Sequence, residues 1–185
     1  MDLIYDKQFL KQLDEQQTRE TYAKLTLLSL ADKPLQQIEG KVSTGSINVD
    51  GTSAVRRTCQ LSLITPLDGI DIDDTYWCFN SKFKLEIGLR NYVNNNYPDI
   101  IWFEMGVYLI VTFNINKSTN NITISISGKD KMCRLNGEIS GNMPAQWDWG
   151  SIDDYNYDTD ITTNTKIPLK TIIYNAVHQF AQEPI

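Results

Sequence analysis

The sequence predicts a mainly β protein with peripheral helices: an antiparallel barrel or sandwich, an N-terminal helical arm and a C-terminal helix. Three observations predict it. Six or seven segments have strand-like alternation or β-branched and aromatic composition. One pair, "IVTFNI" and "ITISIS", is joined by the turn-rich "NKSTNN" and reads as a hairpin. No strand–helix–strand alternation is present, so a parallel sheet is not expected.

The elements follow in chain order. Residues 1–18 form the arm: Phe9, Leu10 and Leu13 give a short apolar stripe among Lys, Gln, Asp and Glu. So short a helix needs a surface to pack on. Residues 19–164 form the β domain. "TYAKLTLLSL" reads as its first strand, "ADKP" as a turn, and Gln37 to Val49 as the second strand. "VDG" turns the chain into "SAVRRTCQLSL", the third. "KFKLEIGL" alternates, with Phe83, Leu85, Ile87 and Leu89 on one face and Lys82, Lys84 and Glu86 on the other. "DIIWFEMGVYLIVTFNI" is long and apolar, and Gly106 marks a bulge or break within it. Ile122, Ile124 and Ile126 share a face of the last strand. A brief helix near 130–136 follows, with Asp130 to cap its start and Gly137 to end it. Residues 165–185 carry the C-terminal helix, with Pro168 in its first turn. Leu169, Ile172, Ile173, Ala176, Val177 and Phe180 make its stripe.

Composition excludes several functions. The chain has 185 residues, net charge −6 and a pI near 4.7. An acidic protein lacks the basic face that nucleic-acid binding requires. No apolar run is long enough to span a bilayer, so no membrane partner is expected. Cys59, Cys78 and Cys133 are odd in number and lack metal-ligand spacing; they read as buried, reduced thiols.

Nothing in the sequence assembles chemistry. The acidic loop Asp154–Asp160 places oxygen ligands at alternate positions, as a calcium loop does at its start. Thr159 and Thr165 then stand where such a loop needs its glycine and its bidentate glutamate. His178, the one histidine, lies beside the stripe of the last helix, and no nucleophile elbow or phosphate-binding glycine loop accompanies it. We therefore expect no enzyme, no metal and no cofactor. Trp147, Trp149, Tyr155 and Tyr157 either cover an apolar edge or a neighbouring subunit, or stack on sugars, which makes a carbohydrate-binding module the alternative.

The tandem Arg56 and Arg57 pose a local problem. Alternation puts Arg57 on the apolar side of its strand, with Val55, Cys59, Leu61 and Leu63, and Arg56 on the other. A buried guanidinium needs a partner or a route to water. Either Arg57 reaches past the end of the sheet, or it makes a bidentate pair with a carboxylate, for which strand order offers Asp130 or Glu86.

The succession "GSINVDGTSAVRRTCQLSL", "FKLEIGL", "IIWFEMGVYLIVTFN" and "ISISGKDKMCRLNGEISG" resembles the N-terminal region of tailed-bacteriophage baseplate and tail hub proteins. The resemblance runs from about Thr21 to the end of the chain, and "DGTSAVRRTC" and "SGKDKMCRLNGE" are its most particular parts. It implies a tail-tube-like β-barrel, docked in a symmetric ring of copies and on other tail or baseplate proteins. It implies that the chain joins the tail tube to the baseplate, borders the passage DNA takes, and sits in a virion assembled in the bacterial cytoplasm. The acidic composition suits such a passage, because a negative wall does not retain a polyanion. The resemblance also implies that the last helix leads into a further region. The interface residues expected on this basis are Arg56, Arg57, Asp130, Trp147, Trp149, Phe9, Leu10 and Leu13.

Overall fold

A computed structural model describes residues 19–66, 76–90, 99–139 and 169–180. Six strands carry the fold: β1 (Thr21–Leu28), β2 (Pro34–Val49), β3 (Arg57–Pro66), β4 (Lys82–Arg90), β5 (Ile100–Lys117) and β6 (Asn121–Asp130). They close into an antiparallel barrel in the order β1-β2-β3-β6-β5-β4. Two helices accompany them, α1 (Met132–Leu135) and α2 (Leu169–Phe180). The expectation of a mainly β fold with peripheral helices holds. The N-terminal arm lies outside the described residues.

The two long strands explain how the barrel closes. The first half of β2 pairs with β1 (Tyr22↔Lys41 to Leu28↔Pro34), and its second half pairs with β3 (Lys41↔Ile64 to Val49↔Arg57). Likewise β5 pairs first with β4 (Arg90↔Ile100 to Lys82↔Leu109) and then with β6 (Tyr108↔Asp130 to Lys117↔Ile122). Each long strand thus serves two sheets. Sheet I holds β1, β4 and the first halves of β2 and β5. Sheet II holds β3, β6 and the second halves. The corners where the sheets join are narrow: Lys41 pairs with both Tyr22 and Ile64, and Tyr108 with both Phe83 and Asp130.

Bulges turn these corners. At the corners Ser43 is an extra residue in β2, which carries another, Leu35, near its start, and Met105 and Val111 are the extra residues in β5. Each reverses which parity of residue faces inward. In β2 the inner positions are Ile38 and Val42 before Ser43, and Ile47 after it. In β5 they pass from Phe103, which pairs with the core residue Ile87, to Tyr108 and Ile110, then to Phe113 and Ile115. Gly106 adopts φ +110° beside the Met105 bulge, as expected of a glycine placed there.

The core between the sheets gathers Ala23, Leu25, Leu27, Ile38, Leu63, Phe83, Leu85, Tyr108, Ile110 and the predicted Ile122, Ile124 and Ile126. Trp77 joins it, stacked on Phe113 at 5.1 Å between centroids, with its indole N–H donating to Gln36 Oε1 at 2.7 Å.

Three expectations need correction. Lys82 does not share the outer face of β4 with Lys84 and Glu86. It is 2% exposed, and its ammonium donates to Leu30 O at 2.7 Å and Asp32 Oδ1 at 2.6 Å. At the strand's first residue the long side chain crosses beneath the β1–β2 turn, where Asp32, at φ +56°, presents its carboxylate. In α2, Ile173 of the expected stripe is 54% exposed, while Asn175 is buried. Cys78 is exposed, whereas Cys59 and Cys133 are buried as expected. Burial pushes those two thiols up to about 12 and about 11.

Candidate assembly surfaces

The outer face of sheet II is assembled from small polar side chains. Strand register sets them in two rows. Ser46 pairs with Gln60, Gln60 with Ser127, and Ser127 with Thr112. One step along, Thr44 pairs with Ser62, Ser62 with Ser125, and Ser125 with Asn114. Together they line an open trough of about 570 Å³. Among the described residues no charged side chain lines it. Thr112 and Ser127 hydroxyls lie 2.6 Å apart in one hydrogen bond, and the Ser43 hydroxyl donates to Ser62 O. Such a surface offers hydrogen-bond donors and acceptors along its length.

The outer face of sheet I is the opposite. Glu20 binds both Lys41 and Arg90 at 3.0 Å, Lys24 meets Glu39 at 3.2 Å, and Lys84 reaches Glu104 at 3.2 Å and Glu86 at 3.5 Å. Lys84 separates two glutamates that the register sets opposite each other. Lys24 also lies 4.2 Å over the Trp102 ring, which covers Gly88. These charges neutralise one another along the face, as on a solvated surface.

The edges of sheet II matter as much as its face. From Thr44 to Val49, β2 hydrogen-bonds to β3 on one side only, and from Thr112 to Lys117, β5 does so to β6. Among the described residues no strand lies along the other side of either segment. Neither segment carries a proline, and its charge is confined to Lys117 at the far end. Natural edges are usually protected by such residues.

Arg57 stands at the top of β3, where sheet II meets the β5 corner. Its guanidinium donates to Met105 O at 3.2 Å and lies 5.8 Å from the centre of the Tyr108 ring. A Cβ on Gly106 would collide with its Nη1. The expected carboxylate pair is therefore corrected. Asp130 does meet Arg57, but through the backbone: Asp130 Oδ2 accepts the Arg57 N–H and Oδ1 accepts the Met132 N–H, both at 2.9 Å. The bulge at Met105 offers the guanidinium a carbonyl where a carboxylate was expected. Asp130 instead joins β3 to the start of α1. Glu86, the other expected partner, faces Lys84. Gly137, at φ +81°, follows the last turn of α1, and Glu138 N–H donates back to Cys133 O at 3.1 Å, as expected of a C-terminal glycine.

Arg56 is exposed in the approach to β3. Trp147, Trp149, Phe9, Leu10, Leu13 and the acidic loop Asp154–Asp160 lie outside the described residues. His178 is exposed and stacks on Tyr174, with centroids 6.1 Å apart. Among the described residues no group of three His, Cys, Asp or Glu side chains is placed to hold a metal, and no helix is long and apolar enough to cross a membrane.

A second surface lies at the corner end. A pocket of about 290 Å³ sits between Leu30, Phe79, Asn80, Lys82 and Arg134. Arg134 is buried, and its guanidinium donates to the Asn80 side chain and carbonyl, each at 3.0 Å, which holds Asn80 at φ +69°. Leu30 and Phe79 are more than half exposed on its rim.

The polar rows were not singled out from sequence, although "STGSIN", "TCQLS", "TFNIN" and "TISIS" all place uncharged polar residues at alternate positions. Alternation shows that they face outward. Only strand order shows that four such strands lie side by side.

No family model and no curated protein matches the chain. Among solved structures, it is similar to a chain of "Structure of PdpA-VgrG Complex, Lidless", with TM-score 0.41, 11% identity, and coverage of 64% of this chain and 21% of that one. It is also similar to a chain of "Structure of Francisella PdpA-VgrG Complex, Lidded", with TM-score 0.38, 12% identity, and coverage of 72% and 20%. The chain thus spans about a fifth of the length of each of these neighbours.

Proposed function

We propose that this protein is a structural subunit of a tail or baseplate assembly, joining a tail tube to a baseplate by docking with copies of itself in a ring and with other tail proteins. The observation that carries the reading is the division of the barrel surface. One sheet presents self-neutralised ion pairs, and the other presents an uncharged polar trough bounded by open strand edges. The resemblance of its motif order to hub proteins supports the same reading. In such a ring sheet II borders the passage, and its hydroxyl and amide lining gives DNA no ionic foothold. The acidic composition predicts a negative wall there; the trough is neutral instead. The role assigns the chain no catalytic chemistry, and its place is the virion.

The test is hydrodynamic. The purified protein and a purified tail-tube subunit are run separately and mixed in sedimentation velocity. Co-sedimentation at a mass above either component is the expected result. A mixture in which both components keep their separate masses overturns the role.

A further inference from the structure

We propose that the corner pocket between Leu30, Phe79, Asn80, Lys82 and Arg134 binds a peptide segment of another protein, one that carries an Asp or Glu side chain beside an apolar residue. The proposal does not rest on the assembly role, and no tail-tube subunit enters its test.

Charge selects the carboxylate. The described lining holds two cations, Lys82 and Arg134, and no acidic residue. They are 2% and 3% exposed, so both charges are fixed in the wall. Asp32, nearby, lies between Lys82 and Lys131 and gives one oxygen to each, at 2.6 and 3.4 Å. Asp130 turns both of its oxygens to backbone N–H groups. On a chain of net charge −6, an arriving carboxylate meets positive charge here.

Asn80 supplies the directional contact. Its Oδ1 accepts from Arg134 Nε at 3.0 Å, which decides how the amide is turned. The Nδ2 end is then a fixed donor in the pocket lining, and among the described residues no group accepts from it. A carboxylate suits such a donor beside a guanidinium, because charge-assisted hydrogen bonds are stronger than neutral ones. Arg134 also donates to Asn80 O at 3.0 Å, and the Asn80 N–H donates to Ile110 O at 2.9 Å. The donor is therefore in place before a ligand arrives.

Shape adds the apolar part. The pocket, at about 290 Å³, is at the small end of ligand sites, which run from about 300 to 1,000 Å³. It has room for one apolar side chain and the carboxylate next to it. Leu30 is 65% and Phe79 57% exposed on the rim, and an apolar side chain seated there covers both. A small inorganic anion leaves that rim in water.

The full chain is titrated in proton–nitrogen NMR with acetyl-Glu-Leu-Asp-amide, with its neutral isostere acetyl-Gln-Leu-Asn-amide, and with inorganic phosphate. The acidic peptide should shift the Asn80 side-chain amide and the Ser81 N–H saturably, and the other two probes should bind about tenfold more weakly. Asn80→Asp keeps an oxygen for Arg134 and tolerates the left-handed backbone, yet sets a carboxylate against the ligand's own; it should lose about tenfold or more. Phe79→Ser, on the exposed rim, should lose about fivefold. Both variants should keep the dispersed spectrum of the parent. No shift by about 5 mM peptide, equal binding of the neutral peptide or of phosphate, or unchanged binding in either variant overturns the proposal. Asn80 and Ser81 signals that move with protein concentration alone also overturn it, because a second copy then fills the pocket.

Discussion

Arg57 and Gly106 occupy one corner of the barrel, and each explains the other. The guanidinium fills the space that a side chain at position 106 would take, and it binds the carbonyl that the Met105 bulge turns outward. Gly106→Ala meets both the collision and the cost of φ +110°, and is expected to lose about 2–3 kcal/mol. Arg57→Met keeps the stem but leaves Met105 O to the Tyr108 hydroxyl alone, at an expected cost of about 1–2 kcal/mol. Arg57→Ala and Gly106→Ala together should cost less than their sum, because removing the guanidinium clears the space. Urea melts of these variants and the parent measure this. Asp32 offers a second residue-scale test. Burial disfavours its ionised form, but the hydrogen bond from Lys82 and the charges of Lys131 and Lys82 outweigh that and hold its carboxyl below the usual value. A depressed native pKa stabilises the fold above the unfolded value of about 3.9, and the contribution fades as pH falls through the native value. Asp32→Asn should therefore lower the stability measured in urea at pH 7, by under about 1 kcal/mol because the carboxylate is partly exposed and screened by solvent, and the gap to the parent should close below about pH 4.

At the scale of elements, the bulges decide what was legible beforehand. β4 and β6 keep one parity from end to end, and Phe83, Leu85, Ile122, Ile124 and Ile126 could be assigned to the core from alternation alone. β5 changes parity twice, so its apolar run shows no period even though every segment alternates. The role of Asp130 was half visible. Its place before a short helix marks a cap, but its second oxygen binds a backbone N–H distant in sequence, which no local pattern encodes. The buried Lys82 was illegible because lysine in an alternating strand reads as outward, and only the fold brings the Asp32 turn over it. The bulges also make a strong prediction. Deleting Ser43 makes Val42 and Thr44 neighbours opposite the neighbours Leu63 and Ser62, so Gly45 and Ile47 stay inner, Thr44 and Ser46 stay outer, and only the bend of the corner is lost. That variant should keep its near-ultraviolet dichroism but lose about 1–3 kcal/mol in urea, because the corner is straightened. Ser43→Ala, which keeps the residue count, should stay within about 0.5 kcal/mol of the parent.

For the whole molecule, the barrel divides the thiols as it divides its polar surface. Cys59 and Cys133 are enclosed and their ionisation is suppressed, while Cys78 is open to solvent and hydrogen-bonded to Ser81. Only the thiolate reacts with an alkylating reagent. Mass spectrometry of the native protein after iodoacetamide at mildly alkaline pH should show one adduct, on Cys78, and urea should release the other two. Early labelling of Cys59 would mean that the sheets separate in the native state.

The shared strands have a kinetic consequence. Neither β1 with β4 nor β3 with β6 is adjacent along the chain, and each of these pairs needs β5 beside it to finish its wall. A ribosome that has released the chain only as far as Arg90 has delivered β1 to β4 without the piece that joins the two walls. Contacts so distant in sequence make formation slow. The chain must therefore wait, unfinished and with its strands open, until synthesis has passed Asp130, and both walls should then lock in a single late step.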